Sequence, residues 1–147
     1  MTPEEIARGS ADAMWADDAA SHGLGMSIDA VASGRATLSM RIRPEMTNGH
    51  GIAHGGFVFA LADSAFAFAC NTYDVRTVAQ SCDISFLAPT HEGDVLVATA
   101  VERHRAGRSG IYDIRVTRAD EVVAEFRGRS RTIGGPVLPA GSEASPR

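Results

Sequence analysis

At 147 residues and 15.5 kDa the chain has room for one domain, and no internal repeat divides it. Hydrophobic residues make up 44% and charged residues 22%, a globular composition that excludes wholesale disorder. A net charge of −4 and a pI of about 5.7 argue against a nucleic-acid partner, which would call for a basic surplus.

In chain order, Thr2-Pro3-Glu4-Glu5 reads as a capping box, so a helix is expected from Pro3 to about Ser21, stopping near Gly23. Met26 to Ala32 reads as a short strand, followed by a Ser33-Gly34 turn. Ala36, Leu38, Met40 and Ile42 alternate with Thr37, Ser39 and Arg41, a strand with one buried face that Pro44 ends. A loop from Met46 to Ala53 leads into one long helix from His54 to about Tyr73. Four more alternating segments follow, near 78–86, 95–102, 111–118 and 122–132, with breaks at Pro89, Gly93, Gly107 and Asp120. The domain is expected to span residues 1–135, with a flexible tail over 136–147. The fold class is α+β. Its closing strands have short connections that suit antiparallel pairing.

The segment Phe57–Ala69 of the long helix is apolar on every side except at Asp63 and Ser64. Such a helix must be covered all round, by a curved antiparallel sheet on most faces and a second subunit on the rest. Asp63 is the sharpest feature: its neighbours three and four residues away are Phe59, Ala60, Phe66 and Ala67. An unpaired carboxylate there is costly, and the chemistry it fits is that of a nucleophile or general base in an apolar cleft. His54-Gly55-Gly56 opens the same helix. The first amides of a helix lack internal partners, the macrodipole adds positive charge, and glycine lets a ligand approach the backbone. That is how a donor for a developing oxyanion is built. His50 and His54 are four apart but have no third ligand nearby, so no metal site is expected. Cys70 and Cys82 form no CxxC pair, and with no signal-peptide pattern or apolar span they are expected to be reduced thiols in a cytoplasm.

Asn48-Gly-His-Gly-Ile-Ala-His54-Gly55-Gly56, followed by Leu61-Ala62-Asp63-Ser64-Ala65, resembles the hotdog-fold acyl-CoA thioesterases, within them the PaaI type of phenylacetate degradation. Ile111-Tyr112-Asp113-Ile114 and Phe126-Arg127-Gly128 look like that family too. The resemblance implies a hotdog fold of about six strands around a central helix, with an N-terminal helix. It implies a homodimer, usually doubled to a homotetramer. Gly55 and Asp63, about 12 Å apart at ~1.5 Å per residue, cannot both touch one carbonyl, so a site shared between the two chains is expected, and with no apolar run long enough to span a bilayer no membrane contact is expected. The catalytic carboxylate would be Asp63 and the carbonyl-polarising amide Gly55. Asn48 and His54 would support the thioester, and Ser81 would orient water, with Gln80 and Ser85 beside it. Gly56 and Ser64 would line the substrate site, and Arg105 and Arg108, with Arg103 nearby, would meet coenzyme A phosphates. Asp17 and Asp18 stand where some members carry an Asn near the acyl pocket. No cofactor is implied, since coenzyme A belongs to the substrate. The resemblance points to hydrolysis of aromatic acyl-CoA thioesters, with Asp63 attacking directly or through water. A hotdog hydratase or dehydratase and a non-catalytic acyl-CoA binding module are the competing readings.

Overall fold

A computed structural model describes residues 1–141; residues 142–147, the end of the expected tail, lie outside the described residues. Helix α1 spans Pro3–Asp17 and starts as its capping box requires: Glu5 N donates to Thr2 Oγ1 at 3.1 Å and Thr2 N donates to Glu5 Oε1 at 2.8 Å. The expected single helix breaks at Asp18, which leaves helical geometry and accepts the Ser21 N–H on Oδ1 at 2.9 Å. That cap starts a second short helix, α2, over Ala19–Gly23. An Asp three residues before a Ser thus restarts the chain where apolar spacing alone would carry one helix through.

Strands β1 (Ser27–Ala32), β2 (Arg35–Arg41), β3 (Thr77–Phe86), β4 (Val95–Ala106), β5 (Ser109–Arg118) and β6 (Glu121–Thr132) form one sheet in the order β1-β2-β4-β5-β6-β3. Every neighbouring pair is antiparallel. Alternation aims Ala36, Leu38 and Met40 of β2, Leu96, Ala98 and Ala100 of β4, Ile114 and Val116 of β5, and Ala124 and Phe126 of β6 into the core. Helix α3 (Gly55–Cys70) lies across this face, packed against β2, β4 and β5 above all. The pairs Ala36–Ala100 and Leu38–Ala98 across the ladder leave room for the helix. This is the hotdog arrangement, a central helix wrapped by a six-stranded antiparallel sheet.

Two ends of α3 have local causes. Its N-terminus follows a loop closed by Asn48, whose Oδ1 accepts the N–H groups of His50 (2.9 Å) and Ile52 (3.3 Å). Its C-terminus falls at Cys70, short of Tyr73. Asn71 donates from Nδ2 to Ala67 O and Thr77 O and accepts the Thr77 N–H on Oδ1, turning the chain into β3. Strand β3 is an edge of the sheet, with Val78 and Phe86 exposed. The expected fraying from residue 136 does not describe the first residues of that segment. Val137 and Leu138 both donate to Asp74 Oδ1 at 2.8 Å, and Leu138 is buried against Gly9 of α1. No described helix is long and apolar enough to cross a membrane.

Candidate active site

The site begins at the first turn of α3. His54 is its N-cap: the ring Nδ1 accepts the Gly56 N–H at 3.0 Å, and the His54 carbonyl accepts the Phe57 N–H at 3.0 Å. A neutral His54 therefore carries its proton on Nε2. Of the three first N–H groups, that of Gly55 makes no hydrogen bond among the described residues. It borders a cleft of about 460 Å³ whose walls include Ile52, Val58, Phe86, Leu87 and Val123. A free donor, the positive end of a helix dipole and apolar walls together suit a carbonyl oxygen that gains negative charge.

Asp63 lies two turns further along α3. It is half-buried, on the only side of the helix that the sheet leaves partly open, together with Gly56, Phe59, Ala60 and Ala67. No hydrogen bond or ion pair reaches its carboxylate among the described residues. Burial pushes its carboxyl above the ordinary value, and nothing charged offsets this. The result is a carboxylate more basic than a surface aspartate and open to a reactant.

The other expected site residues divide. Asn48 faces its own loop and acts there as a scaffold for the approach to His54. Gly56 is exposed and spends its N–H on the His54 cap. Ser64 is joined through a 3.0 Å contact to Ser21 Oγ, which donates to Asp18 Oδ2 at 2.7 Å. That chain ties α2 to α3 and engages the Ser64 hydroxyl. Ser81 is exposed on β3, opposite Arg129 and beside an irregularity in the ladder, with no hydrogen bond to Asp63. Its neighbour Cys82 is the β3 residue that senses Asp63: burial and then the Asp63 charge raise its thiol, as burial pushes Cys70 up to about 12. Neither thiol is therefore a ready nucleophile.

The arginines sit at the far end of α3 from Gly55. Arg105 lies over the Tyr73 ring at 3.6 Å from its centroid and 3.7 Å from Glu102 Oε1, which also accepts the hydroxyls of Tyr73 and Tyr112. Arg103 pairs with Asp113 at 3.0 Å. Arg108 makes no side-chain hydrogen bond or ion pair among the described residues. Within one chain, then, the structure gathers Gly55, His54 and Asn48 at one end of the helix, Asp63 at its middle, and Arg105 and Arg108 beyond its other end. Sequence reading did not place Phe86 in the cleft beside Gly55. The signal was present: alternation from Cys82 through Ile84 carries residue 86 to the helix side of β3.

Comparison with known proteins gives a consistent result. Residues 50–125 match the thioesterase superfamily. The acyl-coenzyme A thioesterase PaaI of Escherichia coli (strain K12) is 44% identical over 129 residues, 87% of this chain and 92% of that protein. The structure of E. coli PaaI, from the phenylacetic acid degradation operon, superposes with a TM-score of 0.90 at 42% identity, covering 92% of this chain and 99% of the other. A mutant of the phenylacetic acid degradation protein PaaI from Thermus thermophilus gives a TM-score of 0.74 at 37% identity, over 76% and 96% of the two chains.

Proposed function

Because this chain belongs to the thioesterase superfamily and is an acyl-CoA thioester hydrolase, we propose that it cleaves aromatic acyl-CoA thioesters, phenylacetyl or hydroxyphenylacetyl, to free acid and coenzyme A. The observation that carries this is the pairing on one helix of a free N–H at Gly55 with a lone, burial-raised carboxylate at Asp63. The thioester oxygen is held at the Gly55 N–H, where the charge of the tetrahedral intermediate is stabilised. Asp63 acts on the carbonyl carbon either through water that gives it a proton, so that the C–S bond breaks and acid and thiolate form, or by direct attack, so that the thiolate leaves an acyl-Asp63 anhydride which water then hydrolyses to the acid and free Asp63. No cofactor takes part. The aromatic preference is supported by the apolar cleft walls at Val58, Phe86, Leu87 and Val123 and by the phenylacetic acid degradation for which the E. coli and T. thermophilus relatives are named.

Gly55 and Asp63 are eight residues apart, about 12 Å at ~1.5 Å per residue, so one carbonyl cannot touch both on a single helix. Two antiparallel copies of α3 about a two-fold axis bring Gly55 of one chain to Asp63 of the other, with the axis near Phe59. Phe59 lies on the partly open stripe, and the β3 edge beside it is free to pair. The site is thus shared in a homodimer, two of which form a tetramer, acting in the cytoplasm. Arg105 and Arg108 of the second chain then lie on the Gly55 side of the first, placed for coenzyme A phosphates. Thiol release from a panel of acyl-CoA substrates tests the reading: kcat/KM for phenylacetyl-CoA is expected to exceed that for long-chain acyl-CoA, and the reverse order overturns the aromatic assignment. A single turnover in ¹⁸O-water separates the two chemistries. Label found in the Asp63 carboxylate identifies direct attack, with water opening the mixed anhydride at the Asp63 carbonyl; for label found only in the acid, trapping of an acyl-Asp63 anhydride with hydroxylamine decides between the routes.

A further inference from the structure

Position 55 is glycine for a reason that the N–H alone does not explain, because every residue but proline would supply that N–H. A Cβ built on Gly55 would lie 2.9 Å from Phe86 Cζ, 3.2 Å from Cε1 and 3.4 Å from Cε2. The tip of the Phe86 ring is therefore seated on the Gly55 backbone. Phe86 is the last residue of β3, next to Ala124 across the ladder, and within the single chain it is 54% exposed. A large aromatic side chain that its own chain leaves half uncovered and that lines the cleft with Gly55 is not packed into the core of its own sheet. Leaving the thioesterase reading in place as its premise, we propose that Phe86 is the positioning residue of this site: its ring walls the Gly55 N–H from bulk water and holds the thioester against it, and position 55 is glycine so that the ring fits.

The physical basis is that a hydrogen-bond donor stabilises developing charge far better where water is excluded. At a free N–H beside solvent, water competes for the donor until something apolar displaces it. Val58, Ile52 and Val123 supply the deeper walls of the cleft, and Phe86 is the wall in contact with the Gly55 backbone itself. Thioester bound along the ring has its carbonyl confined to the N–H side. A smaller residue at 86 leaves the N–H in place but lets water reach it and lets the carbonyl drift. That loss falls on the transition state more than on substrate binding, so kcat should drop more than KM rises.

The test compares wild type, Phe86→Ala, Phe86→Leu, Gly55→Ala and the double variant Gly55→Ala with Phe86→Ala, each assayed for thiol release and melting temperature. Phe86→Ala is expected to lower kcat by about tenfold or more, a fraction of the roughly 10²–10³ that loss of a whole donor costs, while Phe86→Leu recovers much of it. Gly55→Ala alone is expected to lower both activity and melting temperature, since its methyl meets the ring. The double variant keeps the N–H without the clash. It should melt higher and turn over faster than Gly55→Ala alone. Wild-type kcat in Phe86→Ala, or a double variant no better than Gly55→Ala on either readout, overturns the proposal. Should the wild type itself release no thiol, the hydrolase premise fails, and the melting temperatures still decide whether Phe86 dictates the glycine.

Discussion

The proposed sharing of the site between two subunits makes a quantitative prediction about mixed dimers. Asp63→Asn removes the carboxylate while keeping its shape, and Asn48→Ala removes the acceptor that orders the loop before His54 through the N–H groups of His50 and Ile52. Each homodimer is expected to be nearly inactive, because each site lacks one of its two halves. When equal amounts exchange subunits at random, about half of the dimers are mixed. In a mixed dimer one site joins the intact loop of the Asp63→Asn chain to the intact Asp63 of the Asn48→Ala chain. The other site joins the two damaged halves. One good site in two, in half of the dimers, gives about a quarter of wild-type activity. The structural reason for the effect is the separation of about 12 Å along α3, which no carbonyl spans when contacts of roughly 3 Å are needed. Thiol release is measured after exchange, with exchange followed independently by mass-tagged subunits. Confirmed exchange with no recovery would refute the shared arrangement and place a whole site in each chain.

Two further variants probe the fold around the site. Gly34→Ala meets both a left-handed backbone, at φ +71°, and a Cβ placed 2.8 Å from Glu102 Oε1 and 2.9 Å from the Tyr73 hydroxyl; urea unfolding is expected to show a loss above about 1 kcal/mol. His54→Ala removes the Nδ1 acceptor of the Gly56 N–H, so stability should fall by about 0.5–2 kcal/mol and kcat with it, as the turn that aims Gly55 loosens.

Much of this was legible in the sequence because it rests on local rules. The capping box at Thr2, the alternation of Ala36, Leu38 and Met40, and the apolar run around Asp63 each act over a few residues, and the structure follows them. Illegible features depend on contacts between distant segments or on competing local bonds. Asp18 breaks the first helix because its side chain has a closer partner in Ser21 than the helix offers. Leu138 is held by Asp74 and Gly9, which no spacing within the tail reveals. The surroundings of the arginines were illegible likewise: Arg103, Arg105 and Arg108 lie near one turn in sequence, and only the packing shows Arg103 on Asp113 and Arg105 beside Glu102 and Tyr73. The glycine at 55 was legible as a donor position, but its steric partner at 86 lies 31 residues away in sequence and emerges only from the packing of β3 beside α3.

With Asp63 as the proposed base or nucleophile, the energetics of the fold and its chemistry meet in one residue and pull in opposite directions. On a helix face of Phe59, Ala60 and Ala67 the ionised carboxyl has lost part of its hydration and gained no partner among the described residues, which is why burial raises its proton affinity. The sign of the linkage follows. In the folded state Asp63 holds its proton to higher pH than in the unfolded chain, whose carboxyl titrates near the ordinary aspartate value of 3.8. Between those two values the folded state binds more protons, so its stability falls as pH rises through that window and stays lowered above it. Asp63→Asn, which never ionises, escapes this penalty. The expected outcome is a variant that melts higher than wild type at neutral pH, with the gap closing as pH drops below the ordinary aspartate value, and that has lost kcat throughout. Wild-type activity should fall on acidification with a midpoint above 3.8, as the carboxylate takes up its proton. A folded Asp63→Asn protein that melts lower than wild type at neutral pH would mean that the carboxylate is held by a favourable contact, and would count against its standing as an unpaired, reactive base.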